Sequence, residues 1–185
     1  MPRERLSLKA RALQWLAQRE HSRVELRRKL LRVARAEQAA HMAEPHTVEL
    51  QRGEASASAP VQGEADPGCA DPGRCVDNLL DWLQQHRYLS ESRFVESRVQ
   101  ARSGRYGNLR IRQELAQHGV APSEETLRQL RESELDRARA VWQRKFGTPA
   151  ADGTERARQM RFLAQRGFSA DAIRKAVQGA DDDGA

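Results

Sequence analysis

Three ten-residue stretches decide the fold: His21-Ser22-Arg23-Val24-Glu25-Leu26-Arg27-Arg28-Lys29-Leu30, Tyr106-Gly107-Asn108-Leu109-Arg110-Ile111-Arg112-Gln113-Glu114-Leu115 and Phe168-Ser169-Ala170-Asp171-Ala172-Ile173-Arg174-Lys175-Ala176-Val177. They align without gaps. Each opens on a ring, continues with a small residue suited to a helix start, and places aliphatic side chains four residues apart at Leu26/Leu30, Ile111/Leu115 and Ile173/Val177. That spacing puts both on one helical face. The preceding helices match in the outer copies, Leu13-Gln14-Trp15-Leu16-Ala17-Gln18-Arg19 against Met160-Arg161-Phe162-Leu163-Ala164-Gln165-Arg166. The unit is therefore a helix, a tight turn and a second helix. One such pair cannot cover its own apolar face, so copies must pack on neighbours. The expected architecture is all-α: an elongated, curved array of tandem three-helix, helix-turn-helix-like repeats.

Working outward, Ser22-Arg23-Val24-Glu25 has the pattern of a capping box. Val76, Leu79, Leu80 and Leu83 follow i, i+3, i+4, i+7. Ser90 or Ser92 caps the next helix, which ends near Gly104. A further helix runs from Gly107 to His118, with Gly119 as its C-terminal cap. Pro122-Ser123-Glu124-Glu125 starts another, broken near Ser133 where Glu132 and Glu134 interrupt the apolar stripe. The last two span about Thr154–Arg166 and Ser169–Gln178, separated by Gly167. No stretch alternates with period two, so no strand is expected.

Hydrophobic residues are 38% and aromatics 5% of the 185 residues, which favours thin local cores over one thick core. The composition shifts sharply between about Ala36 and Gly73, where Pro, Gly, Ala and Ser dominate and the net charge is −6. This segment, about residues 36–75, reads as a disordered acidic insertion. Asp181-Asp182-Asp183 begins an acidic tail. The domains expected are a first repeat over 1–89 holding the insertion, a second over 90–132, a third over 133–180, and the tail over 181–185. The whole chain carries +6, so without the insertion and the tail's −3 the remaining body stands at about +15. Lys occurs only at positions 9, 29, 145 and 175, so nearly all of this charge is Arg. Arg suits bidentate recognition of carboxylate and phosphate. No window is apolar enough for a membrane helix, and the expected setting is the cytoplasm.

Nothing in the chain offers chemistry. There is no phosphate-binding glycine loop with Lys-Ser/Thr, no nucleophile elbow and no paired-carboxylate site, so an enzyme is not expected. His41, His46, Cys69 and Cys75 are too loosely spaced for a metal site, and no cofactor is expected. His21 sits beside Glu20, but its repeat equivalents are Tyr106 and Phe168, so the position asks for a ring to pack.

Taken in order, Arg19-Glu20-His21-Ser22…Glu25-Leu26-Arg27…Lys29-Leu30, Tyr88-Leu89…Arg93-Phe94, Gly104-Arg105-Tyr106-Gly107…Arg110-Ile111-Arg112-Gln113-Glu114-Leu115…Gly119-Val120, Arg144-Lys145-Phe146-Gly147 and Arg161-Phe162-Leu163…Arg166-Gly167-Phe168-Ser169…Ile173 resemble the RecX family. The resemblance covers nearly the whole chain except the insertion, which departs from the family pattern, and the tail. It implies a modular protein that lodges in the groove of the RecA–single-stranded-DNA filament. There it would lower strand exchange, ATP hydrolysis and co-protease function, and so act in homologous recombination, DNA repair and the SOS response. The partner implied is the RecA filament, with single- or double-stranded DNA as a second partner through phosphates; no membrane partner and a monomer are expected.

The candidate RecA/DNA surface comprises Arg27, Arg28, Arg98, Arg102, Arg105, Arg110, Arg112, Arg144, Lys145, Arg161, Arg166, Arg174 and Lys175. Arg27, Arg112 and Arg174 are repeat-equivalent and lie ~100° around the helix from their aliphatic neighbours. Either they line one continuous surface, or they pair with carboxylates of adjacent helices. Arg98, Arg102 and Arg105 form a row expected to await negative charge. Arg137, Arg139, Arg144 and Lys145 read as a solvated face. His21, Tyr106, Phe168, Leu26, Ile111, Ile173, Gly107, Gly119 and Gly167 are the structural repeat positions. A competing function is a helix-turn-helix type DNA-binding regulator or a non-specific DNA binder. A base-reading helix needs informative residues at its start, and Arg23-Val24-Glu25, Asn108-Leu109-Arg110 and Ala170-Asp171-Ala172 share no such code.

Overall fold

The structure, a computed structural model, describes residues 6–43 and 71–182. Among them there is no strand. They divide into two compact units, Met1–Leu89 and Ser90–Ala185. The first contains α1 (Leu8–Gln18), α2 (Arg23–Ala43) and α3 (Pro72–Gln85). The second contains α4 (Glu91–Ser103), α5 (Asn108–Gln117), α6 (Glu124–Glu132), α7 (Glu134–Lys145), α8 (Gly153–Gln165) and α9 (Ala170–Asp182).

Helix starts follow from side-chain oxygens that accept otherwise orphaned N–H groups. Ser7 accepts from Ala10, Ser90 from Arg93, Ser123 from Thr126 and Asp152 from Glu155. Asp71 caps α3, with Pro72 pre-set for the first turn. In the expected capping box, Ser22 Oγ does accept the Glu25 N–H at 3.1 Å. The Glu25 carboxylate, however, turns to Arg19, His21 and Lys29. Gly119 and Gly167 hold left-handed φ of 71° and 80° after α5 and α8, as helix-ending positions require.

Two stretches, the insertion and the tail, differ from the sequence reading. The expected disordered stretch of about 36–75 is helical at both ends, since α2 continues to Ala43 and α3 begins at Pro72. Long Ala-rich helices propagate one hydrogen bond per residue once nucleated, and an acidic composition does not stop them. Residues 44–70, with His46 and Cys69, lie outside the described residues. The acidic tail likewise begins inside a helix, because α9 reaches Asp182.

Each triplet of helices has its own small core. In the first unit Ala12, Leu26, Leu30, Val76, Leu80 and Leu83 are fully buried. In the second unit Phe94, Val95, Ile111, Leu115, Val120 and Leu130 form one cluster. Ala138, Val141, Trp142, Leu163, Phe168, Ile173 and Val177 form another. The ring position of the repeat is buried at His21 and Phe168 and half-buried at Tyr106. Trp142 donates its indole N–H to the buried Gln159 Oε1 at 2.7 Å, so this polar pair sits inside the third core without loss.

Candidate functional site

The second unit is organised around two turns that touch. The turn between α4 and α5 (Gly104-Arg105-Tyr106-Gly107) lies against the turn between α8 and α9 (Arg166-Gly167-Phe168). Gly107 N–H donates to Arg166 O at 2.9 Å and Leu109 N–H to Gly167 O at 3.0 Å. A Cβ on Gly107 would lie 2.2 Å from Gly167 O, and one on Gly167 would lie 2.6 Å from Arg110 N. Both glycines are therefore required by close backbone approach.

Beneath the turns, Glu134 at the start of α7 serves two helices. Its Oε1 accepts the N–H of Asn108 at 3.1 Å and of Ser169 at 3.2 Å, and its Oε2 accepts the Ser169 hydroxyl at 2.9 Å. These are the amino ends of α5 and α9, where partial positive charge favours an anion. One turn along α7, the Arg137 guanidinium donates to the carbonyls of Tyr106 and Leu130, both at 2.9 Å, and to Asn108 Oδ1 at 2.6 Å. Burial lowers the Arg137 pKa, and nearby Glu134 opposes that shift. Arg137 thus ties α5, α6 and α7 together and does not belong to the solvated face expected of it.

This clasp places the second turn of the pair beside the end of α7 and opens a cleft of about 350 Å³. Arg105, Tyr106, Val141, Arg144, Lys145, Phe162 and Arg166 line it, with no acidic side chain among the described residues. Arg166 is held in place by donating to Arg105 O at 3.1 Å and by lying 4.5 Å from the Phe162 ring centre. Arg110 sits 4.9 Å from the Tyr106 ring centre but is not among the residues that line the cleft. Arg144 and Lys145 are exposed at the carboxyl end of α7 and have no ion-pair partner among the described residues. Four cations around a concave surface with apolar walls focus positive potential into it. The arrangement can bind phosphate or carboxylate groups.

The other candidate residues fall elsewhere. Arg27 pairs bidentately with Asp77 on α3 at 2.6 and 2.9 Å, and its hydrogen bond lowers the Asp77 pKa. Arg98 and Arg102 converge on Glu114 of α5 at 3.4 and 3.0 Å, so that row is partly neutralised. Arg174 and Lys175 pair with Asp171 on their own helix at 2.6 and 3.5 Å. Arg112 lies beside Asn108, Leu109 and Arg131, away from the cleft lining. Arg28 is exposed, and Arg161 is exposed with its Nε on the Ala157 carbonyl. The repeat-equivalent arginines therefore meet three different surroundings. Within the second unit the positive surface is drawn from turns and a helix end instead. Glu134, Arg137 and Gln159 organise the unit but carry no repeat signature; the break in the apolar stripe at Glu134 was the one visible trace.

His21 is buried, and burial lowers its pKa, with Glu25 opposing and Arg19 and Lys29 adding to the shift. Its Nδ1 lies 3.2 Å from Glu25 Oε1. It packs as the ring of the first repeat. Among the described residues no group of side chains could hold a metal ion.

Comparison with known proteins agrees with this three-helix division. Residues 90–124 match the family model for the RecX second three-helix domain, and residues 132–177 the RecX third three-helix domain. The chain is 42% identical over 186 residues to the regulatory protein RecX of Ralstonia pickettii, covering 98% of this chain and 93% of that relative. It is 39% identical to the regulatory protein RecX of Pseudomonas fluorescens, covering 94% and 92% respectively. Identity to the regulatory protein RecX of Neisseria meningitidis is 35%, covering 96% and 94%. With identity of this level spread over all three helical triplets, the chain belongs to the RecX family of regulatory proteins.

Proposed function

We propose that this protein binds the RecA–single-stranded-DNA filament and restrains it, acting by occupancy and not as an enzyme. Family membership supports the partner. The observation that carries the reading is the cleft of Arg105, Arg144, Lys145 and Arg166, four cations without a facing carboxylate among the described residues. Such a surface gains most from acidic groups presented in a row, as on a nucleoprotein filament. The protein lowers ATP hydrolysis, strand exchange and co-protease activity by holding the filament or hindering its growth. It works as a cytoplasmic monomer; no described helix is long and apolar enough to cross a membrane.

The same cleft supports direct contact with DNA phosphates as a second reading, because guanidinium groups bind phosphate as well as carboxylate. RecA-catalysed ATP hydrolysis on single-stranded DNA tests the first. Sub-stoichiometric protein should slow hydrolysis, and replacing Arg105, Arg144 and Lys145 together by Glu should weaken inhibition at least tenfold with melting unchanged. Unaltered hydrolysis at saturating protein would reject the filament reading. Binding of the protein to naked DNA with full loss of effect on RecA would favour the second.

A further inference from the structure

The first unit carries a ring stack that the cleft does not use. Trp82, in the last turn of α3, and His86, the residue that caps its carboxyl end, stand four residues apart and so share a face. Their rings stack with centroids 4.1 Å apart and planes 24° apart. Beyond α3 the chain turns at Arg87 with φ of 61°, a left-handed conformation that non-glycine residues rarely adopt. That turn brings Tyr88 back onto Trp82, with centroids 5.7 Å apart and planes within 18°. The Lys9 ammonium lies 3.8 Å from the centre of the same indole. Trp82 is anchored against the core of the first unit, whereas His86 is exposed and Tyr88 is 49% exposed.

A ring needed only for the core would be buried, as His21 is. Here the turn that ends α3, in which the Tyr88 N–H returns to Leu83 O at 2.9 Å, holds an exposed ring nearly parallel to its neighbour. A nucleobase is another flat π-system that can extend such a stack, whatever its identity. The adjacent ammonium suits the phosphodiester that accompanies each base. We propose that Trp82, His86 and Tyr88 form a stacking platform for unpaired bases of single-stranded nucleic acid, with Lys9 beside it for the backbone. This names a ligand group, the base, that the cleft's charge chemistry does not address, and it does not depend on RecA.

Fluorescence anisotropy with the full chain tests it, using a labelled oligothymidylate and an abasic strand of equal length and charge. The unaltered protein should prefer the oligothymidylate. Tyr88→Ala and His86→Ala should each reduce oligothymidylate affinity about fivefold or more, as loss of one stacked ring does, and leave abasic binding unchanged. Tyr88→Phe should restore the preference. Equal affinity of the unaltered protein for the two strands, or an undiminished preference in both Ala variants, overturns the platform. If Tyr88→Ala instead abolishes RecA inhibition with base preference intact, the rings serve a protein partner and the platform is again overturned. Base preference in a protein that leaves RecA untouched would remove the filament reading and keep this one.

Discussion

Glu134 is a carboxylate only 7% exposed, and its desolvation is offset by three hydrogen bonds and the positive ends of two helices. Loss of a single helix cap commonly costs about 1–2 kcal/mol. Glu134→Ala should therefore destabilise the second unit by about 2–4 kcal/mol in urea unfolding, because two caps go at once. Glu134→Gln, which keeps an acceptor oxygen, should cost clearly less; equal losses would mean that bulk and not hydrogen bonding matters. His21 predicts a pH effect. Its folded pKa lies below the ordinary 6.5, so the unfolded chain takes up a proton first as pH falls. Stability of the first unit should be full above pH 6.5 and decline on acidification from there toward the folded pKa. In His21→Phe, which copies the ring at Phe168, melts at pH 7.5 and 5.5 should differ less than in the unaltered chain.

At the scale of elements, turns and caps set the helix ends where the local chemistry was visible in advance. Ser123, Gly119 and the break at Ser133 were all legible, because each acts within a few residues of itself. What α2 does after Ala36 was not, since a helix already running continues through residues that would not start one. Glycines divide the same way. Gly107 and Gly167 look like ordinary turn residues in the sequence, yet their need for a bare Cα comes from each other's turn, some sixty residues away. Gly167→Ala should cost about 2 kcal/mol or more, combining a positive φ with a Cβ 2.7 Å from that of Arg110. Gly104 offers the contrast, with φ of −69° and nothing within 4 Å of an added Cβ. Gly104→Ala should be neutral or stabilise by about 0.4–1 kcal/mol in the same thermal melts.

For the molecule as a whole, the number of arginines overstates the surface available to a polyanion. Arg27, Arg98, Arg102 and Arg174 are spoken for by Asp77, Glu114 and Asp171. The repeat showed which residues are equivalent but not which carboxylates would face them: Asp77 reaches Arg27 from α3, whereas Asp171 reaches Arg174 from its own helix. If DNA enters the cleft, Arg144→Ala and Lys145→Ala should each lower the slope of log affinity against log salt by about one. Arg27→Ala should leave that slope alone, and a fall equal to that of Arg144→Ala would return Arg27 to the binding surface. The shared carboxylate also bears on how the chain can be dissected. Similarity divides the second copy from the third just before Glu134, so a cut there strands the acid on one fragment and one of its two clients on the other. A peptide spanning 90–132 would begin α5 without its anion and fray, which makes the copied segment and the smallest self-sufficient piece of this protein different things.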